Sequence, residues 1–176
     1  VPFQWFRHRA DLRMTRDEAK REHRESEGDP QLKGQIRSRQ REAARRRMLS
    51  AVPSADIVVV NPTHYAVAIR YDEAAGGAPR VVAKGLDELA MRIQAIARES
   101  GVPVLSAPPL ARALYAHVEL DQEIPQALYV AVAQVLVYVY QLKRWIPGRS
   151  TAPQAPVDLP VPTEMDPKHS EKGKHA

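Results

Sequence analysis

The chain has 176 residues, a formal net charge of +5 at pH 7 and no cysteine. That length suits one domain with appendages, and the lack of cysteine excludes a disulfide framework, a thiol nucleophile and a cysteine-ligated metal. Six scattered histidines show no zinc-ligand spacing, no glycine-rich loop could cradle a phosphate, and no apolar stretch could cross a bilayer, so neither metal nor cofactor is expected.

In chain order, Thr15-Arg16-Asp17-Glu18 forms a capping box and predicts a charged helix to about Ser26, interrupted by Gly28. Asp29-Pro30 then reads as an N-cap followed by proline at the first helical position, where its missing N–H costs nothing. The helix it opens should run to about Leu49. Lys33, Arg37, Arg41 and Arg45 recur every four residues on it as one basic stripe, widened by Arg39, Arg46 and Arg47, with Glu42 the one acid. Such a helix is either a solvated linker or a surface for anionic lipid headgroups, an acidic protein or nucleic acid. The stretch holds no aromatic residue for base stacking, so nucleic acid is not the expected partner.

From Ala55 the pattern changes to strands. Ile57 to Val60 is a continuous apolar run, the mark of a strand buried on both faces. Tyr65, Val67 and Ile69 alternate with Ala66, Ala68 and Arg70 in a second strand. Gly76 and Gly77 make a turn before a third strand, Arg80 to Ala83. Asp87 can cap a helix whose Leu89, Ile93, Ile96 and Ala97 share a face, Gly101 stops it, and Val102 to Leu105 is a fourth strand. Pro108-Pro109 opens a short helix to about His117. Pro125 begins the longest apolar helix, to about Trp145, and its glutamines and basic residues predict a helix covering the sheet rather than a membrane span. The result is a small α/β domain with a four-stranded mixed sheet flanked by helices. Its organisation is 1–14 as an entry segment, 15–50 as a charged helical linker, 51–146 as the globular domain and 147–176 as a proline-rich tail expected to be disordered.

Asn61-Pro62-Thr63-His64, directly after the first strand, carries the chemistry. Asparagine normally degrades by attack of the following backbone nitrogen on its side chain, and proline closes that route because it has no N–H. What remains is attack by the Asn61 side-chain nitrogen on its own carbonyl carbon, which forms a succinimide and expels Pro62. His64 could act as general base or as donor to the oxyanion, and Thr63 could hold the turn through its hydroxyl. An inert turn is the competing reading of an Asn-Pro dipeptide.

The run Asp56-Ile57-Val58-Val59-Val60-Asn61-Pro62-Thr63-His64-Tyr65-Ala66-Val67-Ala68 resembles the autocleavage region of the FlhB/YscU family of type III secretion export-switch proteins. The similarity continues in Ala78-Pro79-Arg80-Val81-Val82-Ala83-Lys84-Gly85, in Ala107-Pro108-Pro109-Leu110-Ala111-Arg112 and in Gln141-Leu142-Lys143-Arg144-Trp145, covering roughly residues 1 to 146. Leu12-Arg13-Met14-Thr15 and Glu27-Gly28-Asp29-Pro30 are closer to the flagellar branch than to the injectisome branch. The resemblance implies single-turnover cleavage in cis, not an enzyme, between Asn61 and Pro62. It also implies a place at the cytoplasmic face of the bacterial inner membrane, behind a transmembrane domain, with residues 1–14 juxtamembrane. The implied partners are export-gate platform proteins, a hook-length ruler protein and rod/hook and filament export substrates. By the same resemblance Ala78, Pro79, Ala133 and Leu136 form an apolar patch for substrate signals, with core packing as the competing reading, above all for Leu136. A hydrolase acting on other substrates finds no nucleophile–base or paired-carboxylate pattern in support.

Overall fold

The computed structural model describes residues 30–72, 74, 76–147 and 151–170, so the expected juxtamembrane segment and the Thr15 helix lie outside it. The chain divides into two units, residues 1–45 and 46–176. In the first, helix α1 (Pro30–Ala51) begins, and its Lys33, Arg37, Arg41 and Arg45 are all exposed. The helix buries none of its residues fully, as a sequence polar on every side dictates. Its last residues belong to the second unit, where Met48 and Leu49 are half-buried against the core.

The second unit is built on a four-stranded sheet: β1 (Ile57–Asn61), β2 (Tyr65–Arg70), β3 (Arg80–Leu86) and β4 (Val104–Ser106). The spatial order is β3-β2-β1-β4. β1 pairs antiparallel with β2 and parallel with β4, so the sheet is mixed, as the apolar patterning predicts. Helix α2 (Glu88–Glu99) packs on one face; α3 (Pro108–His117) and α4 (Tyr129–Arg144) contribute to the core on the other. Ile57 and Val59 point into the α3/α4 side, Val58 and Val60 into the α2 side, and none is more than 4% exposed. The unbroken apolar run of β1 thus reflects burial on both faces.

β4 starts at Val104 rather than at the expected Val102, and three further elements differ from the sequence-based expectation. β3 continues past Ala83 to Leu86, because Lys84, Gly85 and Leu86 pair with Val67, Ala66 and Tyr65. Gly85 serves a close approach: a Cβ there would lie 2.8 Å from Leu89 Cγ and 3.0 Å from the Ala90 backbone nitrogen, in the first turn of α2. The long apolar helix starts with a 3-10 turn (Gln126–Leu128) before α4, since Pro125 is held in extended backbone. None of the described helices is long and apolar enough to cross a membrane.

The third difference is the tail. Residues 151–162 lack regular secondary structure, as their prolines require, but the segment is held to the domain. Leu159, Val161 and Met165 pack against the α3/α4 side of the core. Asp166 is 3% exposed and accepts two hydrogen bonds from Arg112 on α3, one from Nε at 2.6 Å and one from Nη2. The hydrogen bond to Asp166 raises the Arg112 pKa against the opposing effect of burial. Composition signalled disorder because it registers prolines and missing periodicity, not one fork-shaped ion pair formed across 54 residues. Breaking a buried pair costs about 3–5 kcal/mol when the remaining charge stays buried; a tail can undock instead. Asp166→Ala should therefore leave the cooperative melting of the sheet domain within a few degrees of the parent, while limited proteolysis begins to cut within residues 151–165.

Candidate functional site

The hairpin between β1 and β2 holds the tetrapeptide singled out by the sequence. Asn61 is the last residue of β1 and pairs with Tyr65, the first of β2. The backbone N–H of His64 donates to the Asn61 carbonyl at 3.0 Å, closing a four-residue turn. Proline at the second position excludes the primed turn types, and Thr63 at the third has φ +69°, so the turn is type II. That position normally takes glycine; a β-branched residue there is strained, at a cost of order 1–3 kcal/mol. The Thr63 hydroxyl has no hydrogen bond among the described residues, so the expected hydroxyl contact is absent and the residue's mark on the turn is its backbone conformation.

The carbonyl that accepts the His64 N–H belongs to the Asn61–Pro62 peptide bond. Attack on its carbon would put negative charge on the oxygen that this N–H already faces. The His64 backbone N–H is thus placed where such an oxyanion would form, while the imidazole turns to Asp87, with Nδ1 3.4 Å from Oδ1. Asp87 also donates its backbone N–H to the His64 carbonyl at 2.8 Å. The sequence marked Asp87 as a helix cap. It does precede α2, and its carbonyl accepts from the Met91 N–H, but its carboxylate makes no capping bond and lies on His64 instead. No local sequence signal reveals this, because the contact depends on β3 reaching Leu86. On the other side of the turn, the Tyr65 ring packs on Tyr115 of α3 with centroids 5.0 Å apart.

The four residues expected to form an apolar patch come together. Ala78, Pro79, Ala133 and Leu136 line one groove of about 510 Å³ with Tyr71, Ile124, Tyr129, Val137 and Tyr140. Leu136 is also a core residue, 7% exposed, so packing and lining are both true of it. Tyr129, Ala133, Leu136 and Tyr140 follow a spacing of four, three and four along α4, the signature of one helical face. That spacing was legible in the sequence, where the tyrosines registered only as polar tips. The groove and the Asn61 turn share no lining residue. The basic stripe on α1 belongs to the other unit.

A family model described as the FlhB HrpN YscU SpaS Family matches residues 1–139, and the chain belongs to that family. Among its relatives it is similar to the flagellar biosynthetic protein FlhB of Escherichia coli (strain K12), with 55% identity over 166 residues. The match covers 94% of this chain and 44% of that protein. FlhB of Bacillus subtilis (strain 168) is 46% identical over 142 residues, 81% of this chain and 39% of its own length. The chain thus spans less than half the length of these relatives. Its fold is that of the cytoplasmic domain of FlhB from Shewanella putrefaciens, at TM-score 0.65 and 48% identity over 71% of this chain and 97% of that one. An asparagine-to-aspartate mutant of the EscU C-terminal domain matches at TM-score 0.51 and 28% identity, over 52% of this chain and 98% of that one.

The strain at Thr63 can be measured in an uncut Asn61→Ala chain. There, adding Thr63→Gly should leave the melting temperature unchanged or raised, since relief of the positive φ offsets the entropy of glycine, about 0.5–1 kcal/mol. Thr63→Pro cannot adopt a positive φ and should lower it by several degrees.

Proposed function

We propose that this chain is the cytoplasmic part of a flagellar type III export-gate protein that cuts itself between Asn61 and Pro62 and thereby switches export from rod and hook to filament subunits. The observation that carries the reading is the strained type II turn around Asn61-Pro62, with the scissile carbonyl already hydrogen-bonded to the His64 N–H. The flagellar branch is favoured by 55% and 46% identity to two FlhB proteins, over 94% and 81% of this chain.

The reaction needs no second molecule until its last stage. The Asn61 Nδ2 attacks the Asn61 carbonyl carbon, and one Nδ2 proton passes to the His64 imidazole. The tetrahedral oxyanion forms against the His64 N–H. Collapse breaks the bond to Pro62, whose nitrogen takes the proton and leaves as a secondary amine, and the Asn61 succinimide is later opened by water. The strands hold the peptide in one geometry, which supplies much of the rate. Cutting also releases the strain at Thr63, so the product loop differs in conformation from the intact one. Each chain reacts once, so this is not turnover in the enzymatic sense.

The apolar groove lined by Ala78, Pro79, Ala133 and Leu136 is the proposed dock for export substrates. Gate platform proteins and the hook-length ruler are the remaining proposed partners. The basic face of α1, with no apolar stripe, suits anionic headgroups at the inner membrane's cytoplasmic surface better than insertion between lipid tails.

Denatured intact mass tests the cleavage. Fresh protein should yield two masses, for residues 1–61 and 62–176, that co-elute under native conditions, whereas Asn61→Ala should give one. A parent chain that stays whole for days at neutral pH sinks the reading. For the groove, Ala133→Asp places a charge among apolar and aromatic groups and should weaken binding of a hook-subunit peptide at least about tenfold, or 1.4 kcal/mol, by calorimetry.

A further inference from the structure

Asp87 is bound to His64 twice, by its backbone N–H to the His64 carbonyl at 2.8 Å and by its carboxylate facing Nδ1 at 3.4 Å. It holds φ +47°, one of three non-glycine residues at positive φ among the described residues, and a second is Thr63 in the turn itself. Both side chains of the pair are about two-thirds exposed, at 64% and 65%. An exposed ion pair contributes little to folding, typically 0–1 kcal/mol. A carboxylate that forgoes its helix-capping bond for so weak a contact gains no evident stability from it.

We propose that Asp87 is a positioning residue for the cleavage after Asn61, acting through the His64 tautomer. The inference rests on the self-cleavage reading and deepens it. In neutral imidazole one ring nitrogen carries the proton and the other a lone pair. A carboxylate facing Nδ1 keeps the proton there, which leaves Nε2 as the free base for the Asn61 amide proton. The contact of the Asp87 backbone with the His64 carbonyl fixes the residue whose N–H faces the scissile carbonyl. The proton count is that of the cleavage itself: Nε2 takes one proton from the Asn61 amide and returns it to Pro62, while the Nδ1 proton stays shared with Asp87. The device is assembled by strand length. β3 pairs Leu86 with Tyr65, and the next residue is thereby delivered across the turn.

Asp87→Asn keeps the size and the tolerance of positive φ while removing the charge. It should slow cleavage about tenfold or more, with an unchanged melting temperature in the Asn61→Ala background. In a His64→Ala chain the same substitution should change the rate less than about twofold, because its route to the reaction is gone. Asp87→Asn that cuts at the parent rate, or slows the His64→Ala chain equally, overturns the proposal while self-cleavage stands. A parent that never cuts overturns the cleavage reading and this proposal with it. Nitrogen chemical shifts of His64 in uncut Asn61→Ala protein give a readout apart from the rate. A predominant Nδ1–H tautomer that is lost in Asp87→Asn is expected; the Nε2–H form in both sinks the idea.

Discussion

Burial of β1 on both faces is the constraint on which the rest of the domain depends. Ile57, Val58 and Val59 are wholly buried, Val60 nearly so, and each such side chain contributes about 1.5–3 kcal/mol. The strand is hydrogen-bonded to β2 on one edge and β4 on the other, and the Ala107 N–H donates to the Val60 carbonyl just before the turn. β1 therefore cannot slide or twist to relax the peptide that follows it. Strain at Thr63 persists because a well-packed strand on each side over-determines the loop. The same contacts explain how a chain cut after Asn61 would remain one folded body, since none of them crosses the backbone at Pro62.

Rigidity in the sheet and exposure in the turn divide the labour. The apolar strands set the geometry of Asn61, while Pro62, Thr63 and His64 stand in solvent, where the ends of a cut chain would be free to move. A buried scissile loop would be held as tightly after cutting as before. β3 links the two regimes: Gly85 lets α2 lie close on the strand, and the extra residues to Leu86 bring Asp87 to His64. Asp56 does related work at the opposite end of β1. Its carboxylate accepts from the Tyr71 N–H at 2.9 Å and from Lys143 Nζ at 2.8 Å, tying the end of β2 and the end of α4 to the start of the strand.

The second candidate surface follows from the same layering. α4 turns Ala131, Val132, Val135 and Val139 to the core, and Leu136 sits at the margin with Ala133 outside it. Small side chains at Ala78 and Ala133 leave room between the glycine turn and the helix, and the tyrosines wall the space. The C-terminal segment joins this side of the core through Leu159, Val161, Met165 and the Arg112–Asp166 pair. A proline-rich stretch with no regular structure before the 3-10 turn Thr163–Met165 is thus held by three apolar side chains and one fork-shaped contact.

What the sequence determined by itself was local. The apolar run into Asn61 marked a strand buried on both faces, and Pro108-Pro109 marked a helix start. The Asn-Pro bond, through its missing N–H, marked the peptide for which cleavage is proposed. Each of these is written in neighbouring residues, because burial period, caps and peptide chemistry act over a few positions. What the tertiary structure decided was pairing at a distance. Asp87 read as a cap and became the partner of His64; the residues after 150 read as disorder and acquired an anchor on Arg112. Two pairs of small and large apolar residues, at Ala78-Pro79 and at Ala133 and Leu136, became one groove. Strand register and ion pairs join residues far apart in sequence, and a loop's closure entropy grows only slowly with its length, so nothing in the local pattern records which distant partners will meet.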